Sequence, residues 1–76
     1  MKDLVTFIAS SLVDDPAAVQ VVETESDGVV ALELRVAKED LGKVIGKQGR
    51  TARAIRSLLS AAAGKDNRKA RLEIAE

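Results

Sequence analysis

The chain has 76 residues with equal numbers of basic and acidic side chains, so its formal net charge is zero. It contains no cysteine or histidine, which excludes disulfides and the usual zinc sites and argues against an enzyme, a metal or a cofactor. No stretch approaches the ~20 apolar residues of a membrane span and no signal peptide is recognisable, so we expect a cytoplasmic protein without membrane association.

Residues 4–12 carry apolar side chains at helical spacing, which predicts an amphipathic first helix. Its apolar side includes Phe7, the only aromatic residue of the chain, and we expect this ring in the core. Asp14-Asp15-Pro16 ends the helix, because proline disfavours helical geometry in the residue before it. The acidic pair is therefore expected to have a structural role.

Two strands joined by a tight turn follow this helix. Residues 19–25 are rich in β-branched side chains, and Asp27-Gly28 is a strong signal for a two-residue hairpin turn. In residues 30–36, apolar side chains at every second position predict a strand with one buried face. We expect this second strand to lie at the centre of a sheet.

A short helix, a glycine-rich turn and a longer helix are predicted next. The short helix covers residues 39–45, with acidic side chains in its first turn, and Gly42 within it would permit close packing. The turn is formed by residues 46–49. The longer helix runs over residues 50–63 and is ended by Gly64 in the usual C-terminal position.

Residues 68–75 form a last strand, which completes the order helix, strand, strand, helix, helix, strand. The hairpin makes the first two strands antiparallel neighbours. The helix pair then acts as a crossover, so the last strand should lie parallel to the second, with a right-handed connection. We therefore predict a two-layer α+β fold, in which a three-stranded mixed sheet carries the helices on one face.

Charge is distributed very unevenly along the chain. Residues 1–40 carry three basic and nine acidic side chains, whereas residues 41–76 carry nine basic and three acidic ones. Between Leu41 and Lys65 there are six basic side chains and no acid. This segment predicts a positive field around the glycine turn, although a solvated basic helix face is the alternative interpretation.

The glycine turn departs from the usual chemistry of a helix start. Acidic side chains are favoured where the helix dipole is positive, yet the sequence places Lys47 in the turn and Arg50 at the start of the helix. Glycine leaves no Cβ in the way of a ligand, and free N–H groups at the helix start point into the turn. An anion from outside, such as phosphate, would complete this site.

The order of elements and the motif Val44-Ile45-Gly46-Lys47-Gln48-Gly49, followed by Ile55 and Leu58, resemble the KH domain in its bacterial, type II arrangement. The resemblance covers nearly the whole chain, so we expect a single KH domain over residues 1–76. One departure from the family's pattern is Ala52, where many KH domains carry a larger aliphatic residue.

The resemblance implies a protein that binds single-stranded RNA and grips about four nucleotides. The residues implied to hold the RNA backbone are Gly46, Lys47, Gln48 and Gly49. The residues implied to form the apolar wall of the groove are Leu41, Val44, Ile45 and Ile55.

Three arginines of the longer helix, Arg50, Arg53 and Arg56, share one side of the helical wheel and are candidates for contacts with flanking phosphates. We favour such a contact for Arg50, which is nearest the turn. For Arg56, a solvated face is an equally good interpretation.

The resemblance also implies dimerisation, a larger KH-containing partner protein, and a role as RNA chaperone or post-transcriptional regulator linked to cell-envelope growth. An apolar arc of about 200° on the longer helix is wider than the ~100° stripe that one core contact needs. The excess could line the RNA groove or bury a second copy, and we expect a homodimer that uses this helix.

The alternative function is a protein-interaction module with a KH fold, whose main task is dimerisation or partner binding. A lone Gly-x-x-Gly turn is a weak signal by itself, and its context favours RNA. A P-loop is excluded by the spacing of the glycines and by Gln48 after Lys47.

Overall fold

The computed structural model describes residues 1–75, which form three α-helices and three strands. The helices are α1 (Lys2–Leu12), α2 (Leu41–Ile45) and α3 (Arg50–Gly64), and the strands are β1 (Gln20–Ser26), β2 (Val29–Arg35) and β3 (Lys69–Ile74). Short 3-10 turns precede β1, α2 and α3 at Pro16–Ala18, Lys38–Asp40 and Lys47–Gly49. In this part of the chain no helix has both the length and the apolar character needed to cross a membrane.

The sheet has the predicted topology. Its order is β1-β2-β3, with β1 antiparallel and β3 parallel to the central β2. The hairpin turn has two residues, Asp27 with φ 53° and Gly28 with φ 77°, and Ser26 pairs with Val29 across it. Positive φ at both turn residues is the type I′ geometry, which matches the twist of the flanking strands. The predicted α+β, type II KH-like fold is confirmed.

The core lies between β2 and the helical layer. Because side chains alternate along a strand, Val30, Leu32 and Leu34 of β2 all enter the core. The helices and outer strands cover them with the buried residues Val5, Ala9, Val21, Val44, Ile55, Leu59 and Leu72. On the opposite face of the sheet, side chains of all three strands, among them Thr24, Glu33 and Arg71, line an open depression together with the apolar Val22 and Ala31.

The prediction that Phe7 lies in the core is wrong. Phe7 is 71% exposed, whereas Val5 and Ala9 of the same helix are fully buried. The apolar arc of α1 is wide, but the helix docks through Val5 and Ala9, which lie four residues apart. Phe7 follows Val5 by two residues, about 200° around the helix, and therefore points away from the sheet.

Two glycines outside the turn have roles other than those predicted. A Cβ at Gly42 would meet nothing within 4 Å, so this glycine is not required for packing of α2. The helix α3 does end at Gly64, but the left-handed residue that follows it is Asn67, with φ 57°. Asparagine tolerates this conformation because its short polar side chain can hydrogen-bond locally.

Candidate nucleic-acid interface

The turn between α2 and α3 requires glycine at two positions, for different reasons. Gly46 has φ 76° and ψ 170°, and a Cβ there would lie 2.2 Å from Oγ1 and 2.8 Å from the backbone nitrogen of Thr51. Gly49 has φ 74° and ψ 14°, and a Cβ there would meet nothing within 4 Å. Residue 46 must therefore be glycine both because of its positive φ and because a Cβ would overlap Thr51. Residue 49 must be glycine because of its left-handed backbone alone.

Between the two glycines, the turn exposes backbone donors. Lys47 and Gln48 are both exposed. In the 3-10 turn Lys47–Gly49 the first internal hydrogen bond is donated by Gly49 to Gly46, so the N–H groups of Lys47 and Gln48 have no partner inside that turn. Free N–H groups in a turn next to a helix start are the donors that proteins use to bind anions. A phosphate at the turn would therefore meet two donors that no hydrogen bond inside the turn uses.

In the peptide between Gln48 and Gly49, in contrast, both the carbonyl and the N–H group take part in hydrogen bonds. The Nη2 of Arg53 donates to the carbonyl oxygen of Gln48 at 2.8 Å. The N–H of Gly49 donates to the carbonyl oxygen of Gly46 at 3.1 Å. Gln48 itself has φ 58° and ψ 25°, an uncommon conformation for a residue other than glycine. Sequence reasoning missed this role of Arg53, since the spacing suggested only a phosphate contact.

Four exposed basic side chains lie in the turn and in the first two turns of α3: Lys47, Arg50, Arg53 and Arg56. Among residues 1–75, none of the four takes part in a salt bridge. Lys43 differs, because it binds Asp14 and Asp40. The hydrogen bond to Asp14, together with that to Asp40, raises the pKa of Lys43 above its ordinary value. The positive field at the turn therefore comes from the four unpaired residues.

Asp40 anchors the start of α2 to the connection between α1 and β1. It is 2% exposed, and its carboxylate accepts the N–H of Asp14 at 3.3 Å, the N–H of Asp15 at 3.1 Å and Nζ of Lys43 at 3.2 Å. Burial alone would raise the pKa of Asp40, but these donors outweigh it and lower the pKa below its ordinary value. Asp40 is therefore ionised at neutral pH, and this anchor fixes the helix that leads into the glycine turn.

Two of the four residues predicted to line the apolar groove lie in the core instead. Val44 is 0% and Ile55 is 2% exposed, so neither offers surface to a ligand in this structure. The reason is that both residues belong to the cluster of buried side chains that α1, α2, α3 and the sheet form together. Leu41 and Ile45 are half-buried and remain available as a groove wall. Ala52 is also buried, so its small side chain does not set the width of the groove.

One exposed flank of α3 is basic and the other is apolar. Its buried stripe consists of Ala52, Ile55, Leu59 and Ala63. At 100° per residue, Arg53 and Arg56 lie on one side of this stripe, and Ala54, Leu58 and Ala61 lie on the other. Leu58 is 54% exposed. The helix thus carries more apolar surface than its core contact uses, as the wide arc in the sequence predicted.

Comparison with known proteins identifies relatives over the full length of the fold. The family model described as KhpA/KhpB, KH domain, matches residues 2–74. Proteins named RNA-binding protein KhpA from Clostridium acetobutylicum and Clostridium perfringens are each 55% identical over 74 residues, covering 97% of this chain and 99% of theirs. The protein of that name from Chlamydia trachomatis serovar D is 47% identical over 76 residues, covering 100% of this chain and 97% of its own.

Proposed function

This chain belongs to the KhpA/KhpB family of KH domains, and we propose on that basis that it binds single-stranded RNA at the turn formed by residues 46–49. The observation that carries the proposal is the turn itself, where two N–H groups without a partner inside the turn lie near exposed basic side chains that form no salt bridge within residues 1–75. The relatives named RNA-binding proteins support RNA as the ligand.

In the proposed complex the turn holds the RNA backbone and the adjacent apolar surface receives the bases. The free N–H groups of Lys47 and Gln48 bind a phosphate, with charge supplied by Lys47 and Arg50. Leu41 and Ile45 provide the apolar wall, while Val44 and Ile55 support it from the core. We expect the site to hold about four nucleotides, which is the span that KH domains clamp.

The salt dependence of binding tests this proposal. A site with two or three phosphate contacts should give a log–log salt slope of roughly −1.5 to −2, since each neutralised phosphate of a single strand contributes about −0.7. The measurement is a fluorescence-anisotropy titration with labelled single-stranded RNA of random sequence at several salt concentrations.

A duplex of the same RNA serves as the control, and it should bind more weakly, because a groove for splayed bases does not fit paired ones. A slope near zero would contradict the electrostatic part of the proposal. Duplex binding as tight as single-strand binding would contradict the groove.

At the level of the cell, the proposed role is that of an RNA chaperone or post-transcriptional regulator in the cytoplasm, acting together with a larger KH-containing, KhpB-like partner and affecting cell-envelope growth. The description of the matching family as KhpA/KhpB supports the choice of a KhpB-like partner. Crosslinking followed by sequencing of the bound RNA would identify the targets. A set of targets without envelope functions would separate the RNA-binding role from the envelope role.

We also propose a homodimer formed through the apolar flank of α3, which consists of Ala54, Leu58 and Ala61. A dimer would let two weak sites bind one RNA, with a gain in avidity. Sedimentation equilibrium at tens of micromolar protein should show a dimer, and Leu58→Glu should convert it to a monomer, because a buried unpaired charge is strongly unfavourable.

Phe7→Glu is the matched control for the dimer, because it places the same charge on the most exposed large apolar residue of another helix. This variant should remain dimeric. A parent protein that sediments only as a monomer would exclude the dimer. A dimer that binds no RNA would instead favour the protein-interaction module.

A further inference from the structure

Arg53 differs from Arg50 because its guanidinium is bonded to the backbone of the turn, whereas Nη2 of Arg50 donates only to the side-chain Oε1 of Gln48, at 3.5 Å. Its Nη2 donates to the carbonyl oxygen of Gln48 at 2.8 Å, and the N–H on the other side of that peptide, from Gly49, donates to the carbonyl oxygen of Gly46 at 3.1 Å. In a trans peptide the C=O and N–H groups point in opposite directions. The two bonds therefore fix the plane of one peptide from both sides.

This peptide lies between a strained residue and a permissive one. Gln48 is left-handed, with φ 58° and ψ 25°, which costs free energy for a residue with a Cβ. Gly49 accepts either sign of φ, so it would absorb the backbone change if Gln48 returned to negative φ. A return of Gln48 to negative φ would relieve its strain, move its carbonyl oxygen relative to Arg53 and change the course of the exposed turn. The observed conformation therefore needs an interaction that selects it.

We propose that Arg53 is a positioning residue, which holds the Gln48–Gly49 peptide in the conformation that binds RNA, and is not itself a phosphate contact. Its effect on affinity rests on the proposed function, but its effect on the turn is a property of the free protein. A turn held in its binding conformation loses little conformational freedom when RNA arrives, and this preorganisation strengthens binding.

The free protein provides the first test, with Arg53→Gln compared with Arg56→Gln. Both changes remove one positive charge from an exposed arginine of α3, but only Arg53 is bonded to the turn. In amide NMR spectra, Arg53→Gln should shift and broaden the signals of Gln48 and Gly49, whereas Arg56→Gln should leave them in place. Unchanged signals in Arg53→Gln would overturn the proposal, whatever its effect on RNA binding.

The second test measures affinity with labelled single-stranded RNA of random sequence. Arg53→Gln should bind about tenfold more weakly, the equivalent of releasing one strained residue, with the salt slope of the parent. A direct phosphate contact would instead reduce the magnitude of the slope by about 0.7, and that result would overturn the proposal.

A double-mutant comparison isolates the role of Gln48. Gln48→Gly removes the steric cost of the left-handed conformation, so adding Arg53→Gln in this background should weaken binding much less than in the parent. An equal loss of RNA affinity on adding Arg53→Gln to the parent and to Gln48→Gly would mean that Arg53 acts independently of Gln48. Failure of the proposed function gives a different pattern, in which parent and variants all fail to bind RNA while the signals of the turn still respond to Arg53→Gln.

Discussion

Replacement of Lys47 and Gln48 together by aspartate is expected to abolish RNA binding and to leave the fold intact. The variant removes one positive charge and adds two negative charges at the proposed phosphate site, a local change of three units. Hydrogen bonds to charged groups contribute about 1.5–3 kcal/mol each, so loss of two such bonds weakens binding by at least about 100-fold. Anisotropy titration with labelled single-stranded RNA measures the loss.

The fold should survive for reasons visible in the turn. Both side chains are exposed, and Arg53 binds the backbone of residue 48 rather than its side chain. Aspartate is also one of the residues that adopt the left-handed conformation most readily. The free energy of unfolding should therefore change by no more than about 0.5 kcal/mol, as for most surface substitutions.

The turn after α3 offers a matched control, the double replacement of Lys65 and Asn67 by aspartate. It gives the same change of three charge units, and Asn67, with φ 57°, is left-handed like Gln48. Because this turn lies at the opposite end of α3, the control should bind RNA much more tightly than the variant at Lys47 and Gln48. If the two variants bind equally well, binding depends on net charge and the glycine turn is not the site.

The features predictable from the sequence are those that neighbouring residues determine. The alternation of Val30, Leu32 and Leu34 with polar or smaller residues identified the central strand, because a side-chain period of two is typical of a strand with one buried face. Asp27-Gly28 identified the hairpin for a similar reason, since few residue pairs accept positive φ twice. From these elements the strand order follows by the right-handed crossover rule.

The features that the sequence did not reveal depend on how the elements dock. Helical spacing placed Phe7 on an apolar arc but could not show which part of that arc meets the sheet. Val44 and Ile55 were assigned to the groove, yet docking of α2 and α3 directs them into the core.

The same limit applies to the polar contacts. Asp40 is a routine helix-start residue in the sequence, and only the fold brings the backbone of Asp14 and Asp15 to its carboxylate. Contacts over such separations have no local signature. The bond from Arg53 to Gln48 is local, but it depends on a left-handed residue that the motif does not specify.

The largest effect on stability is expected from Gly46→Ala, with Gly49→Ala and Gly42→Ala as its comparison set. At Gly46 the new methyl group would lie 2.2 Å from Oγ1 and 2.8 Å from the backbone nitrogen of Thr51, in a backbone region restricted to glycine. Strain and overlap together should cost about 3 kcal/mol or more of the free energy of unfolding, which lowers the melting midpoint by more than about 10 °C.

The other two glycines distinguish the effect of steric overlap from the effect of a left-handed backbone. Gly49→Ala meets no neighbour but keeps a left-handed residue, at a cost of about 1–2 kcal/mol. Gly42→Ala meets no neighbour in a helical segment, and should raise stability by about 0.5–1 kcal/mol. Urea unfolding followed by circular dichroism measures all three. Equal losses for Gly46→Ala and Gly49→Ala would show that Thr51 yields to the new methyl group, and the close approach of Thr51 would then not explain why the first glycine is needed.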